Sequence, residues 1–145
     1  MAKIEDLQDD YTKLDKTVEC SDESKIDVNC LLTFDYEYSN SDAEVKIDTD
    51  EFTAVCPWTG LPDFGTVTIV YIPKTQCIEL KSLKFYLMSY SGVGIVQEHV
   101  ANRILNDLVS VCEPKRLSVN VDYNIRGGIH TTVSSAYEDT NPNLK

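Results

Sequence analysis

The sharpest pattern in the chain is strict alternation near its C-terminal end. Over 117–125, Leu117, Val119, Val121, Tyr123 and Ile125 fall on one side, and Ser118, Asn120, Asp122 and Asn124 on the other. Successive side chains of a strand point to opposite faces, so this predicts a half-buried antiparallel strand. Gly127-Gly128 suits a two-residue hairpin turn of the primed type, and 129–136 then reads as the returning partner. Two earlier stretches have a helical period. Leu80, Leu83, Leu87 and Tyr90 form a stripe over 79–90, with Gly92 and Gly94 placed to end it. Val96, Val100, Ile104, Leu105, Leu108 and Cys112 form a second over 95–112, stopped by Pro114. Before both, 66–72 (TVTIVYI) is rich in β-branched residues and closed by Pro73, which predicts a strand.

The first half of the chain is less clearly patterned. Residues 30–37 (CLLTFDYE) read as a strand, 39–43 (SNSDA) as a turn, and 52–56 as a short apolar segment stopped by Pro57. Gly60 and Pro62 make 58–64 (WTGLPDF) a shaped loop. Residues 1–28 are polar with clustered acids, and suit either a disordered arm or a short helix around 4–14. The order is strand, loop, strand, helix, helix, strand, strand. It predicts an α+β fold with two helices on one face of an antiparallel sheet. The expected organisation is an acidic arm (1–28), one domain (29–137) and a polar tail (138–145).

Composition narrows the function. With 145 residues, 42% hydrophobic and 26% charged, the chain is globular and long enough to bury a core. No apolar run approaches the roughly 18 residues of a membrane span. The acidic N-terminus is unlike a secretory signal, so the expected location is the cytoplasm. The net charge of −11 is uneven: residues 1–50 carry 15 acids against 5 Lys, and the rest is nearly neutral. That gives no support for a nucleic-acid groove. Five widely spaced cysteines and two histidines offer neither a disulfide framework nor a metal-ligand pattern.

Several residues could carry chemistry. Cys56 stands at a strand end before Pro57, and Asp63 lies seven residues on, past Gly60 and Pro62. A loop of that kind can fold back and present a carboxylate beside the sulfur. The blander roles are a buried free cysteine and an Asp turn cap. Glu98 lies near the start of the long helix, where the helix dipole alone favours an acid. Lys81 and Lys84, at i and i+3, could hold phosphate, although a plain amphipathic helix looks the same. Arg126-Gly127-Gly128 offers a guanidinium and bare amides. Gly92-Val93-Gly94 follows a helix and not a strand, so it is no dinucleotide fingerprint.

Taken in order, these segments resemble a known family. Residues 52–65 (FTAVCPWTGLPDFG) resemble the nucleophile loop of 7-cyano-7-deazaguanine reductases, the nitrile reductases of the queuosine pathway. Residues 79–86 (ELKSLKFY) are similar to the segment that the family associates with NADPH binding. The match continues through Glu98, Asn102 and Asn106-Asp107-Leu108 to the Arg126-Gly127-Gly128-Ile129 turn, covering about 50–130 without a break in order. The resemblance implies a unimodular tunnelling fold. Its subunits would join into a ring-like barrel, single or stacked in two rings, with active sites between subunits.

The resemblance also implies a mechanism. Cys56 would add to the nitrile carbon to give a thioimide, and Asp63 would protonate the nitrogen. Two NADPH molecules in turn would supply hydride. Glu98 would read the guanine-like edge of the base, with Glu79, Leu80 and Ser82 as further substrate contacts. Lys81, Lys84, Tyr86, Arg126 and Gly127 would face the cofactor. One departure stands out: relatives normally carry His-Glu where this chain has Gln97-Glu98. Gln97 can donate and accept hydrogen bonds but cannot carry a proton near pH 7, so it implies slower or different proton delivery. Val100 replaces a frequent cysteine, which removes a disulfide that would guard Cys56 from that position. Two other functions fit parts of the pattern. One is an amidine-forming relative that adds ammonia to a nitrile-bearing deazaguanine in nucleic acid. The other is a non-catalytic deazapurine binder. The NADPH-type segment and the lack of basic surface favour the reductase.

Overall fold

The computed structural model describes residues 4–14 and 19–141. A 3₁₀ turn at Ile4–Leu7 runs into helix α1 (Gln8–Leu14). Two more 3₁₀ turns, Glu23–Lys25 and Val28–Cys30, lead to strand β1 (Thr33–Asp35). Strands β2 (Val45–Val55) and β3 (Pro62–Ile72) follow, then the short β4 (Gln76–Ile78). Helices α2 (Leu80–Met88) and α3 (Gln97–Cys112) come next, and strands β5 (Arg116–Tyr123) and β6 (Thr132–Glu138) complete the order. The main sheet is antiparallel with strand order β2-β3-β5-β6, while β1 and β4 pair in a separate ribbon. Among the described residues no helix is long and apolar enough to cross a membrane.

The α+β expectation holds, with both long helices against the sheet. Val67, Ile69 and Tyr71 of β3 and Leu117, Val119, Val121 and Tyr123 of β5 form one buried face. The other face of β5 carries Ser118, Asn120 and Asp122. Against the buried face lie Val100, Ala101, Ile104, Leu105, Leu108 and Cys112 of α3, and Leu83, Tyr86 and Leu87 of α2. The α2 stripe differs from expectation at one end. Leu80 is 60% exposed at the first helical position, and Tyr86 takes the buried place. Helix α3 begins two residues later than predicted, with Val96 as its half-buried N-cap. It ends where Glu113 turns left-handed before Pro114.

Strand β2 is the main correction to the sequence reading, which saw only 52–56. Val45, Ile47 and Thr49 are the partly covered positions up to Thr49, with Lys46, Asp48 and Asp50 exposed. Between Thr49 and Phe52 the register against β3 shifts, because β2 spends one residue more than its partner. Such a bulge reverses the parity of a strand. The inward positions become Phe52 and Ala54, and Cys56 continues that series. The alternation is broken in the middle, which hides an 11-residue strand.

Other boundaries move as well. The segment 58–64 is not a loop throughout: β3 starts at Pro62, where a missing N–H is tolerated, and Ala54 pairs with Asp63. Only Thr33–Asp35 of 30–37 is strand. Strand β5 stops at Tyr123, leaving Ile125 70% exposed. Glu138 still pairs with Arg116. In the polar N-terminal segment, Ile26 is buried in the core. The Ser21 N–H donates to Gly92 O (2.9 Å), and the Gly94 N–H to Ser21 O (2.8 Å).

Candidate active site

The turn after β2 is closed on itself. The Cys56 N–H donates to Leu61 O (2.9 Å), and the Gly60 N–H to Cys56 O (2.8 Å). Gly60 has φ +68°, a conformation that favours glycine. The strand end is pinned from the other side, where the Val55 N–H donates to Val93 O (2.8 Å) and the Ile95 N–H to Val55 O (3.1 Å). Cys56 is therefore held where the sheet, the turn and the entry to α3 meet, and is 5% exposed. Burial opposes its ionisation. The Thr59 hydroxyl, the Thr59 and Trp58 backbone N–H groups and the Arg126 side chain all favour the thiolate, and together they bring the thiol below its ordinary value. Cys112 is the opposite case, with burial pushing it up to about 12. Burial and the nearby Asp27 also raise Cys30. Hydrogen-bond donors to the sulfur favour the thiolate, the form in which a cysteine is nucleophilic.

Asp63 reaches the same place from β3. Its side chain is buried, and Oδ1 accepts a hydrogen bond from Arg126 Nη1 at 2.7 Å. The sequence reading expected a folded-back loop to carry this carboxylate, but the β2–β3 ladder does so. Arg126 comes from the tip between β5 and β6. Arg126 and Ile129 exchange two backbone hydrogen bonds of 3.0 Å, and Gly127 and Gly128 have φ +58° and +76°. Positive φ at both central residues is the primed turn predicted from the Gly-Gly pair. The Asn124 N–H donates to Phe64 O (2.9 Å), tying this tip to β3. Two hairpins thus bring Cys56, Asp63 and Arg126 together.

The start of α3 lies beside them. Gln97 is half-buried, and its backbone carbonyl accepts from the Tyr123 hydroxyl at 3.3 Å. Burial, followed by the negative charges of Asp63 and Glu98, pushes the Tyr123 phenol up, so it remains a neutral donor. Glu98 is exposed in the first turn of α3. Thr59 and Tyr123 are the participants that sequence reading missed. Thr59 has a legible signal, a hydroxyl three residues after a cysteine within a tight turn; Tyr123 reads only as a core position.

The α2 segment departs further from expectation. The Glu79 carboxylate caps the helix, accepting from the Lys81 N–H (2.9 Å) and the Ser82 N–H (2.7 Å). Those backbone donors hold it below its ordinary range. Ser82 is buried; its hydroxyl donates to Glu79 O (2.8 Å) and accepts from the Leu32 N–H (3.0 Å). Tyr86, expected to face the cofactor, lies in the core. It is fully buried, donating to Asp107 Oδ2 (2.7 Å) and sharing a hydrogen bond with the Tyr90 hydroxyl (2.9 Å). Arg103 completes that network from α3, with Nε 2.8 Å from Asp107 Oδ2. Lys81 and Lys84 are exposed as predicted, with Lys84 Nζ 3.7 Å from Glu51. Gly127 lies at the open hairpin tip, where an added Cβ would meet nothing within 4 Å.

The family model described as QueF-like protein matches residues 62–142. The NADPH-dependent 7-cyano-7-deazaguanine reductase of Caldicellulosiruptor bescii is 53% identical over 114 residues, 79% of this chain and 87% of that one. The protein of the same name from Chlorobaculum tepidum is 51% identical over 107 residues, 74% of this chain and 92% of its own length. That of Thermomicrobium roseum is 56% identical over 99 residues, 68% and 77% of the two chains. Among solved structures, the archaeosine synthase QueF-Like in the apo form aligns with a TM-score of 0.64 at 24% identity, covering 70% of this chain and 99% of that one. That likeness speaks for the fold alone.

Proposed function

The chain belongs to the QueF-like family, and on that premise we propose that it reduces the nitrile of 7-cyano-7-deazaguanine to the aminomethyl group with NADPH. The observation that carries the reading is the Cys56 site. A covered sulfur, its thiolate favoured by Thr59, Trp58 and Arg126, shares a guanidinium with a buried carboxylate. A nitrile carbon is electrophilic, and this sulfur is suited to add to it as a thioimide. Asp63 is suited to pass a proton to the nitrogen as the bond forms. Glu98 would accept from the ring N–H and exocyclic amine of the base, a two-point contact. Neutral Tyr123 would hold the start of α3 against the β3 side of the site. Glu79 and Ser82 act indirectly in this scheme, by fixing the first turn of α2.

Lys81 and Lys84 fit a phosphate-bearing cofactor, being exposed and three residues apart on one helix. When bound, NADPH would supply the hydride. The proposal includes assembly into a ring-like barrel in the cytoplasm. In its support, β2 and β6 are the outer strands of an open sheet. Trp58 (78% exposed), Ile125 and Ile129 are large apolar side chains left uncovered around the catalytic end.

The test uses purified protein, the free nitrile base and NADPH. Mass spectrometry should find a covalent species on Cys56 with the nitrile alone, and cofactor absorbance should fall when NADPH is added. Cys56→Ala should lose both. Amidine formation from ammonium and modified nucleic acid, with no NADPH oxidation, would replace this reading by the amidine-forming one. Reversible binding with no adduct would leave only a deazapurine binder.

A further inference from the structure

Helix α3 begins without a side-chain cap. Its N-cap is Val96, which has no oxygen to offer the first N–H groups. Glu98 stands in this uncapped first turn, three residues after Ile95, whose N–H clasps Val55 beside Cys56. The turn is held from elsewhere. The Tyr123 hydroxyl of β5 donates to Gln97 O (3.3 Å). Asn102, one turn further along α3, donates from Nδ2 to Glu98 O (3.3 Å) and accepts at Oδ1 from the Ser135 hydroxyl of β6 (2.7 Å). A carbonyl only accepts, so the amide has one orientation that satisfies both partners. Ser135 alternates along β6 with Val133 and Tyr137, which pack against the core. A third apolar residue would suit packing there better than a serine. What the position gains is a hydroxyl bonded to α3.

We infer that Ser135 and Asn102 are positioning residues for Glu98, and that they set the preference for a base carrying an amine beside its ring N–H. The preference rests on the proposed reductase reading, in which Glu98 accepts from both groups; the strut from β6 to the first turn of α3 does not. Ser135 acts through Asn102, and Asn102 through the backbone of Glu98, so neither needs to touch the base. A base attached at Cys56 and read at Glu98 spans two points that come from different elements. The clasp of Val55 by Ile95 fixes one, and the strut fixes the other. An exposed carboxylate on a loosened turn keeps one well-aligned hydrogen bond more easily than two. A base with both donors therefore loses more when the strut goes than a base with the ring N–H alone.

The experiment measures equilibrium binding by titration calorimetry to the full chain carrying Cys56→Ala, so that no adduct forms. The two probes are 7-cyano-7-deazaguanine and 7-cyano-7-deazahypoxanthine, which lacks the exocyclic amine. Ser135→Ala, Ser135→Thr, Asn102→Ala and Glu98→Gln are compared in that background, each first checked for native far-UV circular dichroism. Ser135→Ala and Asn102→Ala should each weaken binding of the first probe about fivefold and of the second less than about twofold. Ser135→Thr keeps the hydroxyl and should keep the parent ratio, while Glu98→Gln should abolish the preference. A second readout needs no ligand: amide hydrogen exchange over 96–102 should quicken in Ser135→Ala and Asn102→Ala but not in Ser135→Thr. Equal weakening for both probes would overturn the inference and leave the contact a structural one. Unmoved exchange in Ser135→Ala would overturn it as well. A parent chain that binds neither probe, or both alike, would count against the reductase reading and the preference built on it, while the exchange series would still decide the strut.

Discussion

Tyr86→Phe separates the observed structure from the role that the sequence suggests for this residue. The substitution keeps the ring and removes one oxygen. That oxygen makes two bonds, 2.7 Å to Asp107 Oδ2 and 2.9 Å to the Tyr90 hydroxyl. Both tyrosines are at 0% exposure, so Tyr90 would have no water to turn to. A hydrogen bond to a charged group contributes about 1.5–3 kcal/mol, and a buried hydroxyl left unpaired costs about 1–3 kcal/mol. Asp107 keeps Arg103 at 2.8 Å, which limits the loss on that side. The expected destabilisation is about 2–3 kcal/mol. At about 2–4 °C per kcal/mol for a domain near this size, Tm should fall by about 5–10 °C. The assay is thermal or urea unfolding at a fixed protomer concentration, beside the NADPH KM of the folded variant. An unchanged Tm with a KM several-fold higher would refute the reasoning, for it would mean that the hydroxyl meets the cofactor.

Three further outcomes are expected. Thr59→Val should raise the alkylation midpoint of Cys56 by about one pH unit, and slow adduct formation near pH 7 about tenfold, since one donor to the thiolate is lost; an unmoved pH profile would count against the Thr59 contact. In Gly65→Ala the new Cβ would lie 2.8 Å from the backbone oxygen of Asp122 and 3.2 Å from Tyr123 Cα, so β3 and β5 must part. A loss of about 1–3 kcal/mol is expected from such overpacking, measured by urea unfolding. Glu79, held below its ordinary 4.5 by the Lys81 and Ser82 N–H groups, contributes stability that is present above that value and lost as pH falls through the folded one. The stability gap between wild type and Glu79→Gln should therefore narrow between pH 6 and pH 3, and a constant gap would contradict the cap.

Where one periodicity ran unbroken, the sequence was readable. Strand β5 and helix α3 follow directly from Leu117 to Tyr123 and from Val100 to Cys112, because each presents a single face to a single core. Strand β2 was not readable, since the bulge between Thr49 and Phe52 moves its inward positions from odd to even numbers. That same slip turns Cys56 inward, so the feature that concealed the strand also places the cysteine that follows it. The segment ELKSLKFY shows a different limit. Motif similarity grouped Glu79, Ser82 and Tyr86 with a ligand, whereas the fold assigns two of them to the turn that starts α2 and the third to a buried network. The Gly-Gly turn was legible from local chemistry alone. That its Arg126 would come to rest on Asp63 was not, because 63 residues separate them and only the β3–β5 pairing closes the distance.

Ser21 lies on residues 92–94, and that stretch in turn clasps the end of β2 immediately before Cys56. Ser21 and the Cys56 thiol therefore belong to one mechanical unit. A fusion partner or affinity tag joined close to Ser21 would pull on the clasp that sets the depth of the sulfur, whereas one attached well upstream would leave it unloaded. Anyone preparing a shortened form for crystallisation should keep Ser21 through Ile26, although they lie far from Cys56 along the chain.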